Sequence, residues 1–330
     1  MLSYHKLNFY LGQKERFIEK KIEYHKKNSN YFFSYVELSA MKYSLNVRFR
    51  NNCESVIRLI DNYMEYHKFK IPFSHESRYQ IYKYHPDFNE NYFSSIDSLE
   101  KAYWLGFFFA DGTISNDRRL RLYLSASVKY IKSNYNHLIR FCKAVGLNPA
   151  YIDFVHRLEK NKIIRYHHFI HIQFSSNEMA KDLFNLGFKG SRSKSTLWPK
   201  MRYHNKLIEL SFLLGFYDGE ADIGRSRIYS ANKNLLNCIK HKFNIPYEVI
   251  PSNSAFSLSL SGQLVNLMQA IFPKSLELKR HTFKNRNTEL IIKNLLSSEL
   301  LSDLLKILSI KEIAQIFSVE EKRILRILEK

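Results

Sequence analysis

Two acidic residues, Asp111 and Glu220, are the groups in this 330-residue chain best placed to do chemistry. Each closes an apolar run broken by small residues at a fixed interval. Gly106 and Ala110 lie four apart before Asp111, and Gly215 and Gly219 lie four apart before Glu220. Residues at i and i+4 share a helix face. Small residues on that face remove the side-chain layer between two helices and let their backbones approach, as membrane helices do. The spacing predicts two helices packed along these faces, and parallel packing would bring both carboxylates to one end. An Asp-Gly pair is also a common turn. The recurrence of the whole pattern after 109 positions favours the paired helices over a turn.

Two such carboxylates are costly neighbours. Unit charges about 4 Å apart repel by roughly 4 kcal/mol at an effective dielectric near 20. Each anion at a helix C-terminus loses a further ~0.3–1 kcal/mol. Either one acid takes up a proton or a cation sits between them. Hard carboxylate oxygens suit Mg²⁺, with Mn²⁺ as a substitute. A metal there can activate water and stabilise the leaving oxygen of a phosphodiester.

The bulk composition agrees with a phosphate-bearing partner. Lys and Arg total 51 against 31 Asp and Glu, a formal net charge of +20. Such an excess favours polyanions, because each neutralised phosphate releases counterions. Hydrophobic residues at 45% and charged residues at 25% describe a globular chain, not a disordered one. No apolar h-region opens the sequence, and the most apolar stretch, 102–110, is too short to span a bilayer. Cys53, Cys142 and Cys238 are scattered, with neither disulfide nor zinc spacing. These features lead us to expect a cytoplasmic (nucleoid-associated) or organellar protein, not secreted, with no membrane partner.

The elements that must position the acids recur in order over residues 96–290. The first copy reads as a helix capped near Asp97 or Ser98, a short strand, an alternating strand Arg119–Ser125, and a helix over Ile131–Val145. A hairpin from Tyr151 to Phe174 and a helix over 177–186 complete it. The second copy reads as a helix Lys206–Gly219, a basic strand containing Arg225 and Arg227, and a helix Leu235–Phe243. A hairpin through Pro251–Ser254 and a helix Gln263–Phe272 close it. The expected order is helix, two strands, helix, two strands, helix, twice over. Residues 1–95 form a mostly helical extension of unassigned role, with a helix over Glu54–Tyr66 and a loop from Pro72 to Asn91. The repeats span 96–200 and 201–290, and 291–330 is a helical tail.

Trp104–Gly112 (WLGFFFADG) and Leu213–Ala221 (LLGFYDGEA) resemble the two motifs of a single-chain LAGLIDADG homing endonuclease, over about residues 92–290. The resemblance implies an α+β fold, a duplicated αββαββα core with helical flanking regions, whose two saddle-shaped sheets sit astride double-stranded DNA. It implies a monomer with internal pseudo-twofold symmetry that cuts both strands of a long asymmetric site with staggered ends. Asp111 and Glu220 would bind metal, aided by the backbone carbonyls of Gly112 and Ala221. Ala221 stands where glycine is usual, so the second carbonyl is expected to sit differently from the first. Gly190–Pro199 and Leu276–Arg280 resemble the segments that close the two repeats. By that likeness Lys194 and Lys279 would assist catalysis beside the metals. An intron RNA maturase, with intron RNA as partner, or a non-cleaving DNA-binding transcription regulator are the alternatives on the same scaffold. No N-terminal Cys or C-terminal His-Asn pair frames the chain, so a free-standing protein is expected in place of an intein.

Strand alternation supplies the surface for DNA. In Arg119–Ser125 the leucines point one way, and Arg119, Arg121, Tyr123 and Ser125 the other. In His167–Phe174, His167, His171 and Gln173 share the polar face. In the second copy Arg225 and Arg227 share a face, as do Ser257, Ser259 and Ser261. A two-stranded ribbon with such donors fits the major groove. Ile310–Leu328 reads as helix, tight turn, helix and resembles a DNA-binding helix-turn-helix, with Ser318 at the usual turn glycine. Lys322, Arg323 and Arg326 would then face DNA.

Overall fold

The computed structural model describes residues 88–330, apart from 117, 126–130, 148–151, 160–164, 191–196, 202–204, 254, 285–287 and 330. Side chains at 131–132, 153–168 and 288 are likewise outside the description. All but Ile131 and Lys132 of the described residues belong to one compact unit. The helix expected over Glu54–Tyr66 and all but the end of the loop from Pro72 lie outside the described residues.

Helix α1 (Leu99–Asp111) begins where the Ser98 hydroxyl accepts the Lys101 N–H at 3.2 Å. Every residue from Ala102 to Ala110 is buried. A helix apolar all round belongs in a core, not on a surface. Helix α4 (Lys206–Glu220), capped by Asn205, is buried from Leu207 to Asp218. The two run side by side and parallel. A Cβ added to Gly106 would strike the Phe212 carbonyl and lie 2.9 Å from the Phe216 nitrogen. One added to Gly215 would strike the Tyr103 carbonyl and lie 2.7 Å from the Phe107 nitrogen. The contacts are reciprocal: 103, 106 and 107 meet 212, 215 and 216, with the same displacement of 109 positions that separates the acids.

On the α1 side, β1 (Gly112–Ile114), β2 (Arg119–Ser125), α2 (Ile131–Val145), β3 (Ile152–Glu159), β4 (Arg165–Ser175) and α3 (Asn177–Asn185) follow in turn. The strands form an antiparallel sheet in the order β1-β2-β4-β3. Leu120, Leu122 and Leu124 of β2 are buried opposite Phe174, Ile172 and Ile170 of β4, while the intervening residues stay partly accessible. That is the expected period-two pattern.

On the α4 side come β5 (Arg227–Ser230), α5 (Lys233–Lys242), β6 (Val249–Ser252), β7 (Ala255–Ser259) and α6 (Gly262–Ile271). The sheet has three strands, β5-β7-β6. Here the expected pair of strands before α5 is corrected. A single bridge, Ala221 to Ile228, stands where the other half has the ladder between β1 and β2. The chain instead turns through Asp222–Gly224, with Gly224 at φ 74 and the Arg225 N–H donating to the Asp222 carbonyl at 3.3 Å. Arg225 therefore lies ahead of β5 and not on it.

Four short helices end the chain: α7 (Thr288–Leu295), α8 (Ser298–Leu304), α9 (Ile310–Phe317) and α10 (Glu321–Leu328). Leu300, Leu301, Leu304, Ile313, Phe317 and Ile324 are buried, and α8 and α9 pack on α4 and α6. Ser309 and Glu312 form a reciprocal capping box that starts α9. Its end is a Schellman turn: the Val319 N–H donates to the Ala314 carbonyl at 3.0 Å and the Ser318 N–H to the Gln315 carbonyl at 3.1 Å. Ser318 sits in the left-handed region, at φ 53 and ψ 50. A side chain there costs ~1–2 kcal/mol, against ~0.5–1 kcal/mol of extra chain entropy for glycine. Ser318→Gly is expected to stabilise the tail by roughly 0.5–1 kcal/mol. A thermal melt would read this as a higher Tm, and an unchanged or lower Tm would contradict it.

Candidate active site

The ends of α1 and α4 meet at the two acids. A Cβ built on Gly219 would press on the Ala110 methyl and lie 3.1 Å from Asp111 Oδ2. The Asp111 carboxylate thus rests against the residue preceding Glu220. Both acids are half-buried. The residues that follow them share one backbone shape, φ −82 and ψ 154 at Gly112 and φ −84 and ψ 151 at Ala221. Each donates its N–H back into its helix, to Phe108 and Tyr217. The expectation that Ala221 displaces its carbonyl is therefore corrected. Glycine is needed at 112 because the Phe108 ring closes over it, with Cε1 2.7 Å from any added Cβ. Tyr217 instead sends its hydroxyl to the Arg225 carbonyl at 2.8 Å.

Lys279 reaches this junction from a 3₁₀ turn, Glu277–Lys279. Its Nζ donates to the Ala221 carbonyl. Burial lowers its pKa, and the nearby charges of Asp218, Asp111, Asp222 and Glu220 act in the opposite sense. A cationic group therefore already stands where the two helices bring acids together. Lys194 lies outside the described residues.

Asp218, two residues before Glu220, is fully buried and was not legible as a site residue. Its Oδ2 accepts the Tyr103 hydroxyl and the Leu276 N–H, each at 2.7 Å. Burial raises its pKa to about 7, opposed by those two hydrogen bonds and by Lys279 and Arg280. Behind it the Tyr103 hydroxyl lies 3.0 Å from His137 Nε2, and Arg140 lies 3.3 Å from His137 Nδ1. One proton assignment makes each of these side-chain contacts a hydrogen bond. Arg140 donates to Nδ1, Nε2–H donates to the Tyr103 oxygen, and Tyr103 donates to Asp218. The available signal was a carboxylate inside an otherwise apolar helical stretch, since such a group must find partners.

His137 is held neutral: burial, then Arg140 and Arg280, push its pKa well below 6.5. Below pH 6.5 the unfolded chain takes up a proton that the folded one refuses. Stability from this group is complete above pH 6.5 and falls as pH falls, at up to about 1.4 kcal/mol per pH unit. Between pH 6.5 and 5.5 the unfolding free energy should drop by about 1 kcal/mol more for the natural chain than for His137→Gln. Equal drops in chemical denaturation would contradict this.

The residues expected to meet DNA fall into distinct groups. Arg119, Arg121 and Tyr123 lie on the open face of β2 with His171 and Gln173 of β4. Arg121 Nε donates to Gln173 Oε1 at 2.5 Å, and Tyr123 meets His171 edge to face at 5.3 Å. Arg227 Nε donates to Ser259 Oγ at 3.2 Å on the other sheet. In both halves the arginine precedes the aliphatic residue that pairs with the position after the acid: Leu122 opposite Gly112, and Ile228 opposite Ala221. His167 is in β4 opposite Arg157, and its side chain is outside the description. Three expectations are corrected. Arg225 is in the turn, 3.8 Å from Asp222, and so does not share a strand face with Arg227. Ser257 has no accessible surface, because it sits on the central strand flanked in register by Tyr229 and Ile250. Ser261 caps α6 through the Leu264 N–H. Lys322, Arg323 and Arg326 are exposed on α10, with Arg323 paired to Glu289 at 2.6 Å.

No protein-family model and no curated protein matches the chain. Among solved structures, the homing endonuclease I-WcaI bound to its DNA recognition sequence is similar at 9% identity with a TM-score of 0.36. That alignment covers 58% of this chain and 88% of the other. A likeness of this size falls short of establishing a shared fold.

Proposed function

We propose that this chain is a site-specific, metal-dependent endonuclease of double-stranded DNA, built on a duplicated LAGLIDADG-type core. One observation carries the reading: two parallel helices in reciprocal backbone contact, each ending in an acid, with a lysine ammonium at the junction. Among the described residues no three His, Cys, Asp or Glu side chains cluster as a metal site. A cation would therefore draw on Asp111, Glu220, the carbonyls of Gly112 and Ala221, and oxygens of DNA and water. This all-oxygen set suits Mg²⁺ or Mn²⁺. When bound, the metal would supply activated water and charge stabilisation at the leaving oxygen.

The protein's own groups do the rest. Backbone contact along Gly106 and Gly215 fixes the spacing of the acids. Lys279 supplies a positive charge beside the reacting phosphate, with Lys194 as its counterpart in the first half. The Arg121–Gln173 and Arg227–Ser259 pairs hold donors at equal stations from the two acids, on faces suited to the grooves. Lys322, Arg323 and Arg326 give the α9–α10 hairpin a second, phosphate-directed contact.

The metal site can be tested without a known target. Titrating Mn²⁺ into the protein, followed by electron paramagnetic resonance, should show binding that Mg²⁺ competes away. The double variant Asp111→Asn with Glu220→Gln should lose it. Undiminished Mn²⁺ binding by the variant would remove the acids from the assignment.

A further inference from the structure

The segment that carries Lys279 is tied down at both ends. Its first amide, Leu276 N–H, donates to Asp218 Oδ2 at 2.7 Å and also lies 3.1 Å from the Tyr103 hydroxyl. The Leu276 carbonyl accepts the Lys279 N–H at 2.9 Å, and the Lys279 carbonyl accepts Gln269 Nε2 at 3.1 Å. Arg140 and Arg280 grip the preceding stretch through the Ser275 carbonyl, at 3.5 and 2.8 Å. The link from Asp218 to the Lys279 ammonium is thus one hydrogen bond, one turn and one side chain long.

Packing of the helix pair does not demand this carboxylate. The position two before the acid is Phe109 in α1 and Asp218 in α4. Phe109 fills its place with rings alone, 5.4 Å from both Phe188 and Phe212. Asp218 uses one oxygen for both of its hydrogen bonds and leaves Oδ1 buried without a partner. A buried unpaired acceptor is a standing cost. What the residue holds in exchange is the Leu276 amide.

We propose that Asp218 and Tyr103 are positioning residues that set the Lys279 ammonium over the ends of α1 and α4, a role for which Phe109, at the matching position of α1, has no polar group. The proposal rests on the endonuclease reading for its consequence, but the positioning itself can be measured without DNA or metal. Competitive acetylation with peptide-resolved mass spectrometry reports the accessibility of each lysine amine. Removing the tie with Asp218→Leu should speed labelling of Lys279 by about fivefold or more, as expected for a lost buried hydrogen bond. Asp218→Asn keeps an acceptor oxygen and should stay within about twofold of the natural rate. Lys242, held by Glu209 at 2.6 Å away from this segment, serves as the internal reference for an intact fold.

If Lys242 also becomes reactive in Asp218→Leu, that variant has lost its fold and Tyr103→Phe decides by the same two rates. Faster Lys279 labelling with Lys242 unchanged, rescued by Asn at 218, supports the proposal. Unchanged Lys279 labelling in a variant whose Lys242 is protected overturns it. A chain that shows the positioning effect yet cleaves no DNA would count against the endonuclease reading alone.

Discussion

Asp111→Asn should abolish DNA cleavage while duplex binding survives. The amide keeps the shape of the side chain, so the packing against Gly219 and Ala110 is retained. It removes a negative charge from the junction where the proposed cation would sit beside Lys279. Loss of one preorganised electrostatic group at a reacting centre costs on the order of 10²–10³ in rate, and loss of a metal ligand should sit at or above that range. On the proposed reading, affinity for duplex would be set by the sheet arginines, which are untouched, and by the overall positive charge, which the variant raises by one. Glu220→Gln should behave alike from the other helix. Single-turnover cleavage and a gel shift on the same target separate the two quantities. A variant that cleaves at the natural rate, or one that fails to bind, would contradict the metal-binding role of the two acids.

The second large effect is on folding. Gly215→Ala adds one methyl group at a place where the nearest atoms are the Tyr103 carbonyl and the Phe107 nitrogen of α1. Both are backbone, and neither can rotate away. The helices must separate along their most buried surface, where Trp104, Phe107, Phe108, Phe212 and Phe216 have almost no accessible area. Overpacking ordinarily costs ~1–3 kcal/mol, and a backbone clash in a core should lie at or beyond the top of that range. Gly106→Ala meets the Phe212 carbonyl and Phe216 nitrogen and should cost a similar amount. Thermal melts should show a large fall in Tm for both. A fall of only a degree or two would mean the helices are not in backbone contact.

What was legible from sequence follows the physics of each element. Helix α1 was readable because its cap, its small-residue face and its terminal acid all lie within a short stretch of chain. Strand β2 was readable because Leu120, Leu122 and Leu124 alternate with polar residues, a period only a half-buried strand produces. The helix over Ile131–Val145 carries a matching apolar stripe. Failures arose where local pattern and tertiary setting part company. Arg225 and Arg227 alternate as a strand would, but the turn at Gly224 delays the strand until Arg227. Ser257 obeys the polar period, yet its place on a central strand between Tyr229 and Ile250 buries it. Asp218 was hidden because its partners, Tyr103 and the Leu276 amide, lie 115 and 58 positions away in the chain. A buried carboxylate announces that partners exist but not where they are. Ala221 shows the converse. The substitution looked disruptive in sequence, and the backbone shape is unchanged because Tyr217 swings out to Arg225 where Phe108 folds in.

On the proposed reading, the acid-tipped helix pair makes this chain a nuclease. The most direct measurement is cleavage of a randomised double-stranded DNA library by the purified chain, with Mg²⁺ and with EDTA, followed by sequencing of the ends. Cutting at a long, asymmetric site with staggered ends, present with Mg²⁺ and absent with EDTA or with Asp111→Asn, is the expected result. Sequence-specific binding with no cleavage in either Mg²⁺ or Mn²⁺, or cleavage that survives Asp111→Asn, would contradict it.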